Sequence, residues 1–524
     1  MTMPNTYLEQ VYCVLPRLLS LFDANKISPT YGMGDRFHWA WKLIDFANGT
    51  FQGAANGLAR LVTHNLLPEG ISSDAILRRI TAIFNGADRM CRKDGSLEEA
   101  FPFEGSFCVT ALVAHDLLIA IDLLESRLDK SEYDRFTGII RPMIGFLHEF
   151  DETHAFISNH LATAAAVLFR WTRLTGERGE ERGKELLQRI LDAQSREGWY
   201  REYEGADPGY QTLCMNYLAD IQQIRPDPGL LESLVRAMRF LWHFAHPDGS
   251  FGGYYGSRNT RFYHPAGILV LAKEIPEAAA LADFMQTSIA GHRTVTLDTI
   301  DAPNLVPMFN GYCWAAATAS DSSITKKNDK SGCLPAQEVK PLQVRFPEAG
   351  LLIDSGEMHY TIISTHKGGV VQYYRKNGPV KDLLDCGAVA VDFNGTYYST
   401  QSYQTKNKVR IGEDMVEVTA PFTVIHRDVP GPVRFMLLRL LCVTVMRVPA
   451  VRGLIKRYLV RHMITGVRLS KIHNRRTIHL GSDLAIRDEW ANDPGTLQRI
   501  PMPGIFSAIH MASQGYWQVQ DDQL

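Results

Sequence analysis

Asp94-Gly95-Ser96-Leu97, followed by the helix-period run Phe107–Leu124, sets the reading of this chain. The same kind of turn occurs at Asn48-Gly49-Thr50-Phe51, Glu197-Gly198-Trp199-Tyr200 and Asp248-Gly249-Ser250-Phe251, at offsets of 46, 103 and 51 residues. A period of about 50 residues accounts for all three offsets if one copy has diverged around Phe150-Asp151-Glu152-Thr153. That length suits a helix–loop–helix pair with its connection, a unit that buries its apolar face only by stacking on neighbours. Between the turns, Ala75–Asn85, Phe107–Leu124, Leu161–Leu174 and Leu230–Ala245 repeat apolar residues at three- and four-residue steps, as amphipathic helices do. If the pairs close into a ring, the turns gather at one end and line a cleft. Phe101, Phe103, Trp199, Tyr200, Tyr203, Phe251, Tyr254 and Tyr255 then form an aromatic rim suited to sugar rings, although aromatics also fill cores.

Beyond this region the period falls to two. Gly350–Asp354, His359–Thr365, Val370–Tyr374, Ala388–Phe393 and Val416–Val418 read as strands separated by Gly, Asn and Asp turns. The polar stretch 320–337, which holds Gly and Pro, reads as a linker between a helical domain (1–319) and a β-sandwich domain (338–524). The predicted class is therefore α+β and multidomain, a toroid of helical hairpins followed by an antiparallel β-sandwich.

Composition narrows the function. With 524 residues, 45% hydrophobic and 10% aromatic, the chain has ample material for a core and is neither disordered nor collagen-like. A net charge of −2, from 55 basic and 57 acidic residues, argues against a dedicated nucleic-acid binder. One local exception is the acid-free stretch 429–482, where basic residues alternate with apolar runs such as Phe435–Met446. Two readings stay open for it: peripheral contact with an anionic membrane or polyanion, and a solvated basic insertion in the β-domain. The eight cysteines form neither a CxxC pair nor a zinc-type cluster, as expected of buried thiols in a reduced cytosol. Residues 1–22 lack the basic start of a signal peptide, and no window supplies about 20 consecutive apolar residues, so the expected location is cytoplasmic.

Four segments carry chemistry. In Ser158-Asn159-His160-Leu161, a helix N-cap precedes LATAAAVLF, which sets Asn159 and His160 at a helix start that favours an anion; capping alone also explains the pair. In the segment Tyr203–Gln211, Pro208-Gly209 opens a helix with Tyr210 in its first turn, where the phenol works as acid or base only under the influence of nearby cations. The loop Tyr254–His264 gathers Tyr255, Arg258 and His264, and an arginine fork there would clamp a carboxylate. His366-Lys367-Gly368-Gly369 ends a strand that would reach the cleft. Glu98, Glu104, Glu202 and Asp207 are carboxylates available to a glycoside hydrolase instead.

Taken in order, these features resemble the heparinase II/III and alginate lyase superfamily of polysaccharide lyases. The resemblance rests on Asn159-His160 opening a helix and on Tyr210 after its Glu-Gly…Pro-Gly-Tyr loop. It also rests on Phe346-Pro347-Glu348-Ala349-Gly350 at the start of the β-domain and on the Phe-Pro-Phe-Glu…Ser-Phe-Cys stretch within Gly95–Thr110, and it spans Asp94 to Asn394. It implies an incomplete (α/α) toroid followed by a β-sandwich, with an acidic oligo- or polysaccharide between them that is cleaved by β-elimination; no cofactor or metal is expected from this chain's own residues. On that reading Asn159 and His160 neutralise the uronate, Tyr210 protonates the leaving oxygen and is also open to abstracting the C5 proton, and His366 is a second base. Glu104, Tyr203, Tyr255, Arg258 and His264 would bind the sugar. The chain departs from the family's His-x-Asp pattern at His366, where Gly368 stands in place of the carboxylate. Non-catalytic glycan binding, with membrane association, is the other reading of the same residues.

Overall fold

A helix enclosed by others needs apolar residues all round, whereas an outer helix needs only a stripe, and the first 320 residues alternate between the two kinds. The computed structural model describes residues 5–40, 44–320, 333–376, 383–425, 431–461, 466–491, 495–501 and 515–516. Its first helices are α1 (Thr6–Ser20), α2 (Arg36–Trp39), α3 (Ala55–Thr63), α4 (Ser73–Met90), α5 (Phe107–Leu124), α6 (Lys130–Glu149) and α7 (Ser158–Thr175). They continue as α8 (Glu180–Asp192), α9 (Pro208–Ile224), α10 (Pro228–Leu241), α11 (Pro265–Leu271), α12 (Pro276–Ala290) and α13 (Ala302–Ser320). Helices α3, α5, α7, α9, α11 and α13 pack each on the next, and α13 returns to α3, forming an inner ring. Helices α4, α6, α8, α10, α12 and α1 lie outside it. The span Phe107–Arg127 is long and apolar enough to cross a membrane, but it is mostly buried as an inner strut of the ring.

Three of the four sequence turns are one structure repeated. Arg92, Ser195 and His246 donate their N–H groups to the carbonyls of Ser96, Trp199 and Ser250, while Gly95, Gly198 and Gly249 donate back to the carbonyls of Arg92, Ser195 and His246. All three glycines are left-handed, with φ of +83°, +100° and +94°. A Cβ on Gly198 would also lie 2.2 Å from the Arg236 carbonyl oxygen of α10, so the position excludes side chains twice over. The copy at Asn48 differs, because Asn48 caps a short 3-10 helix over Gly49–Ala54. No such turn forms at Phe150–Thr153.

The β region holds two antiparallel sheets. One is β1 (Leu342–Phe346), β2 (Leu351–Ser355), β3 (His359–Ser364), β4 (Val370–Arg375) and β5 (Leu383–Asp385), in that order. The other comprises β6 (Val389–Asp392), β7 (Tyr397–Ser399), β8 (Lys408–Ile411), β9 (Met415–Val424), β10 (Leu469–His479), β11 (Ala485–Ala491) and β12 (Leu497–Arg499), ordered β11-β10-β9-β7-β6-β12 with β8 also on β9. Leu352, Ile363 and Val371 of the first sheet pack on Val416, Val418 and Ile478 of the second. The opposite face, with Ile353, Tyr360, Ile362 and Tyr374, packs on Phe240, Phe244 and Tyr255 of the helical part. A sheet covered on both faces explains why β3 is buried throughout.

Between β9 and β10, the basic stretch forms two helices, α14 (Pro432–Val443) and α15 (Pro449–Val460). Residues 429, 430 and 462–465 of that stretch, and 321–332 of the expected linker, lie outside the described residues.

Candidate active site

Helices α7 and α9 begin side by side because the strand-like pieces before them pair. Ile157 bridges Glu202, and the Ser158 N–H donates to the Arg201 carbonyl at 3.1 Å. Glu202 then accepts the Asn159 backbone N–H on one oxygen (3.0 Å) and the Asn159 side-chain amide on the other (2.8 Å). The next residue, His160, donates Nδ1–H to Glu152 at 2.6 Å. Asp207 caps α9 by accepting the Tyr210 N–H at 3.1 Å, while its other oxygen takes the Arg258 N–H at 2.9 Å. That carboxylate fastens the Tyr254–His264 loop to the start of α9, and the Arg258 guanidinium lies 3.8 Å above the Tyr203 ring.

Asn159, His160, Tyr203, Tyr210 and Arg258 therefore share one neighbourhood at the N-terminal ends of adjacent inner helices, where both helix dipoles favour an anion. Tyr203 and Asn259, together with Phe103 on the facing loop, have φ of +59°, +60° and +64°. Left-handed backbone at three residues other than glycine is strain of the kind that gathers at functional sites.

The electrostatics assign protonation states. Burial, reinforced by Tyr203 and only partly offset by Arg258, raises the Tyr210 phenol well above its ordinary value, so it is a neutral proton donor. Burial alone would lower His160, but the Cys108 sulfur and the Glu152 carboxylate reverse this and hold the imidazole well above its usual range. Burial pushes Glu202 up to about 8, against the pull of His160 and the two Asn159 donors.

The remaining expected residues lie outside that cluster, His366 bordering it through Tyr403. His366 hydrogen bonds through Nδ1 to the Tyr403 hydroxyl at 3.0 Å, and burial lowers its pKa. Tyr403 in turn packs on Gly205, where an added Cβ would sit 2.1 Å from the hydroxyl. His366 thus meets the 202–205 loop through Tyr403 and is not hydrogen bonded to Asn159 or Tyr210. Tyr255 is sealed between the helical part and the β-sheets, its ring on Phe244 and its hydroxyl 2.8 Å from His246 Nε2. His264 is buried at the start of α11, its backbone N–H on Thr212 and its pKa lowered to about 4 by burial. Trp199, Tyr200 and Phe251 of the expected aromatic rim are buried as well, because the repeated turns pack inward; Phe101, Phe103, Tyr203 and Tyr254 remain half-buried.

Glu104 accepts the N–H groups of Glu99 and Ala100, and its other oxygen faces Lys456 of α15 at 3.9 Å. Glu98, Glu202 and Asp207 are likewise buried acceptors of N–H groups, Glu98 from Phe103. None of the four is an open carboxylate of the kind a hydrolase pair requires. Among the described residues no group of three His, Cys, Asp or Glu side chains is placed to hold a metal ion. A cavity of about 610 Å³, lined in part by Pro247, Phe284, Arg293 and Lys376, lies apart from this cluster against α12.

Sequence reasoning missed Glu152 and Glu202 as the partners of His160 and Asn159. It also missed Lys367, whose Nζ donates to the Tyr254 and Gly256 carbonyls and to Asn259. The only available signal was an acidic residue in each loop preceding an inner helix.

No protein-family model matches the chain, and no curated protein does. Among solved structures, a chondroitin AC lyase from Streptomyces coelicolor A3, in complex with chondroitin sulphate, aligns over 92% of this chain and 65% of its own at 11% identity, with a TM-score of 0.50. A Paenibacillus xanthan lyase aligns over 81% of this chain and 46% of its own, at 11% identity and a TM-score of 0.45. A cellobiose 2-epimerase from Bacillus thermoamylovorans B4167 covers 60% of this chain with all of its own, at 10% identity and a TM-score of 0.43. The chain thus spans less than two thirds of the length of either lyase. At these identities the likeness is one of fold, and the chain has the helical-toroid and β-sheet architecture of the chondroitin AC lyase.

Proposed function

We propose that this protein is a polysaccharide lyase-like enzyme that cleaves an acidic glycan by β-elimination at the cluster of Asn159, His160, Tyr203, Tyr210 and Arg258. The observation that carries the reading is the pairing of a neutral phenol with cationic and amide groups at two converging helix N-termini. In such an elimination the proton leaves C5 of the uronate, the C4–O bond breaks, a C4–C5 double bond forms, and the departing oxygen takes a proton. The His160 imidazolium, the Asn159 amide and Arg258 would neutralise the carboxylate and so acidify C5. Tyr210, held as a phenol, gives its proton to the leaving oxygen. The carbon-bound proton goes to the Tyr403–His366 pair, with the neutral imidazole taking the phenolic proton as Tyr403 takes the one from carbon. Glu202 and Glu152 are positioning residues, one fixing the amide and the other the charge on His160. The chondroitin sulphate in the lyase of similar fold supports an acidic substrate.

The test is ultraviolet absorbance of the unsaturated product across uronate polymers and oligomers. A substrate is expected among them, and replacing Tyr210 with Phe should lower its turnover by about 10²–10⁴-fold, the range for losing a general acid. Absence of any double-bond product, or full activity of Tyr210→Phe, overturns the reading. A glycoside hydrolase would release reducing sugar without that absorbance.

A further inference from the structure

Helices α14 and α15 are built inside out. On α15, Arg452, Lys456 and Val460 recur at four-residue steps and are the buried residues, while Leu454 and Tyr458 on the other side are 62% and 60% exposed. The buried cations meet acids on the rim of the helical part: Arg452 reaches Asp94 at 2.9 Å and Lys456 faces Glu104 at 3.9 Å. From α14, Arg439 pairs with Asp45. The polar contacts of the pair are thus spent inward, and its apolar side chains point to solvent.

On α14 only Cys442 is buried. Val433, Met436, Leu437 and Leu440, spaced as one helical face, are 53–65% exposed. Of the twenty large apolar side chains that are exposed among the described residues, eleven fall within 433–458. A concentration of this kind marks a surface that something apolar covers.

Charge selects the occupant. The stretch 429–482 contains no Asp or Glu, and Arg434, Arg457 and Arg461 are exposed beside the apolar face. A two-fold contact between copies would set that basic face against itself. An anionic bilayer offers acyl chains to the apolar face and headgroup charge to the arginines. Each helix has 12 residues, short of the roughly 20 needed to span a bilayer, so the fitting geometry is in the plane of the interface.

We propose that α14 and α15 form a membrane-docking element that seats this protein on an anionic lipid surface. The docking is independent of the lyase reading, since it involves no glycan.

The experiment is flotation of the full chain with vesicles of phosphatidylcholine, with and without about 30% phosphatidylglycerol, at about 0.05 M and about 0.5 M salt. The chain should float with the anionic vesicles, more weakly at high salt, and poorly with neutral ones. The double substitution Met436→Glu, Leu440→Glu, at exposed positions, should reduce bound protein at least tenfold with unchanged circular dichroism. Arg457→Gln with Arg461→Gln should weaken binding and flatten its salt dependence. No flotation at low salt, or flotation of the Glu variant equal to that of the parent, overturns the proposal. So does a dimer that the Glu variant splits while neither form binds lipid, which would make a second copy the occupant. Because the readout is lipid binding, an absence of lyase activity leaves it untouched.

Discussion

Asp220 shows how much one carboxylate holds together in this protein. Fully buried on α9, it takes Nε of Arg170 at 2.8 Å and Nε2 of His115 at 2.9 Å, and so ties α5, α7 and α9 at the centre of the ring. Asp220→Asn removes the buried charge partner of Arg170 and leaves it only Asp122, at 3.0 Å, and a loss of about 3–5 kcal/mol is expected in denaturant unfolding. Burial alone would raise the Asp220 pKa, but Arg170 and His115 hold it far below the ordinary 3.8. Its contribution is therefore present above 3.8 and fades as the pH falls towards its depressed folded value. His115 runs the other way. Burial lowers it, but Asp116 and Asp220 raise it above 6.5 overall, so its share is complete below 6.5 and fades as the pH climbs through the raised folded value. Thermal unfolding should show the gap between parent and Asp220→Asn narrowing once the pH drops below about 3.8.

Among the elements, α15 depends on the ion pair between Arg452 and Asp94, whose side chains are 10% and 25% exposed. Arg452→Glu sets a like charge beside Asp94 and near Glu98. The expected outcome is release of the α14–α15 pair from the rim, read as faster tryptic cleavage within 434–461 while the main thermal transition stays in place. A turn glycine behaves differently, because it is wedged into the core. Gly198→Ala forces a left-handed alanine onto the Arg236 carbonyl and should cost about 1–3 kcal/mol in the global transition.

For the molecule as a whole, the joint between the helical part and the β-sheets decides whether a site exists. Lys367 pins it from the β side by holding the Tyr254–Asn259 loop, and Tyr360 donates its hydroxyl to the His243 carbonyl at 2.6 Å. Lys367→Met strands those acceptors, and a loss of about 1–3 kcal/mol is expected in denaturant unfolding. Burial, chiefly, lowers the Lys367 pKa to about 8 from 10.5. Holding the charge therefore works against folding in that interval, and the parent should gain stability relative to Lys367→Met as the pH rises from about 8 to 10.5. Equal pH profiles for the two proteins would show that the ammonium is not buried as described.

The sequence by itself determined the order of helices and strands and therefore the layers. The apolar runs Phe107–Leu124 and Leu161–Leu174 coincide with inner helices, and His359–Thr365 and Val370–Tyr374 with strands. All four are buried on more than one side, so the one-sided stripe and the two-residue alternation expected of them give way to burial all round. The repeated glycine turns were legible because a left-handed turn is specified by the residues within it. Only the tertiary structure decided which polar residues meet. Asn159 and Glu202 are 43 residues apart, Lys367 and Asn259 108 apart, and Arg452 and Asp94 358 apart. No local pattern encodes such pairs: they arise where chain-distant elements are packed together and buried charge must find a partner. The same packing withdrew Tyr255 and His264 into the interior and left the apolar face of α14 in the open.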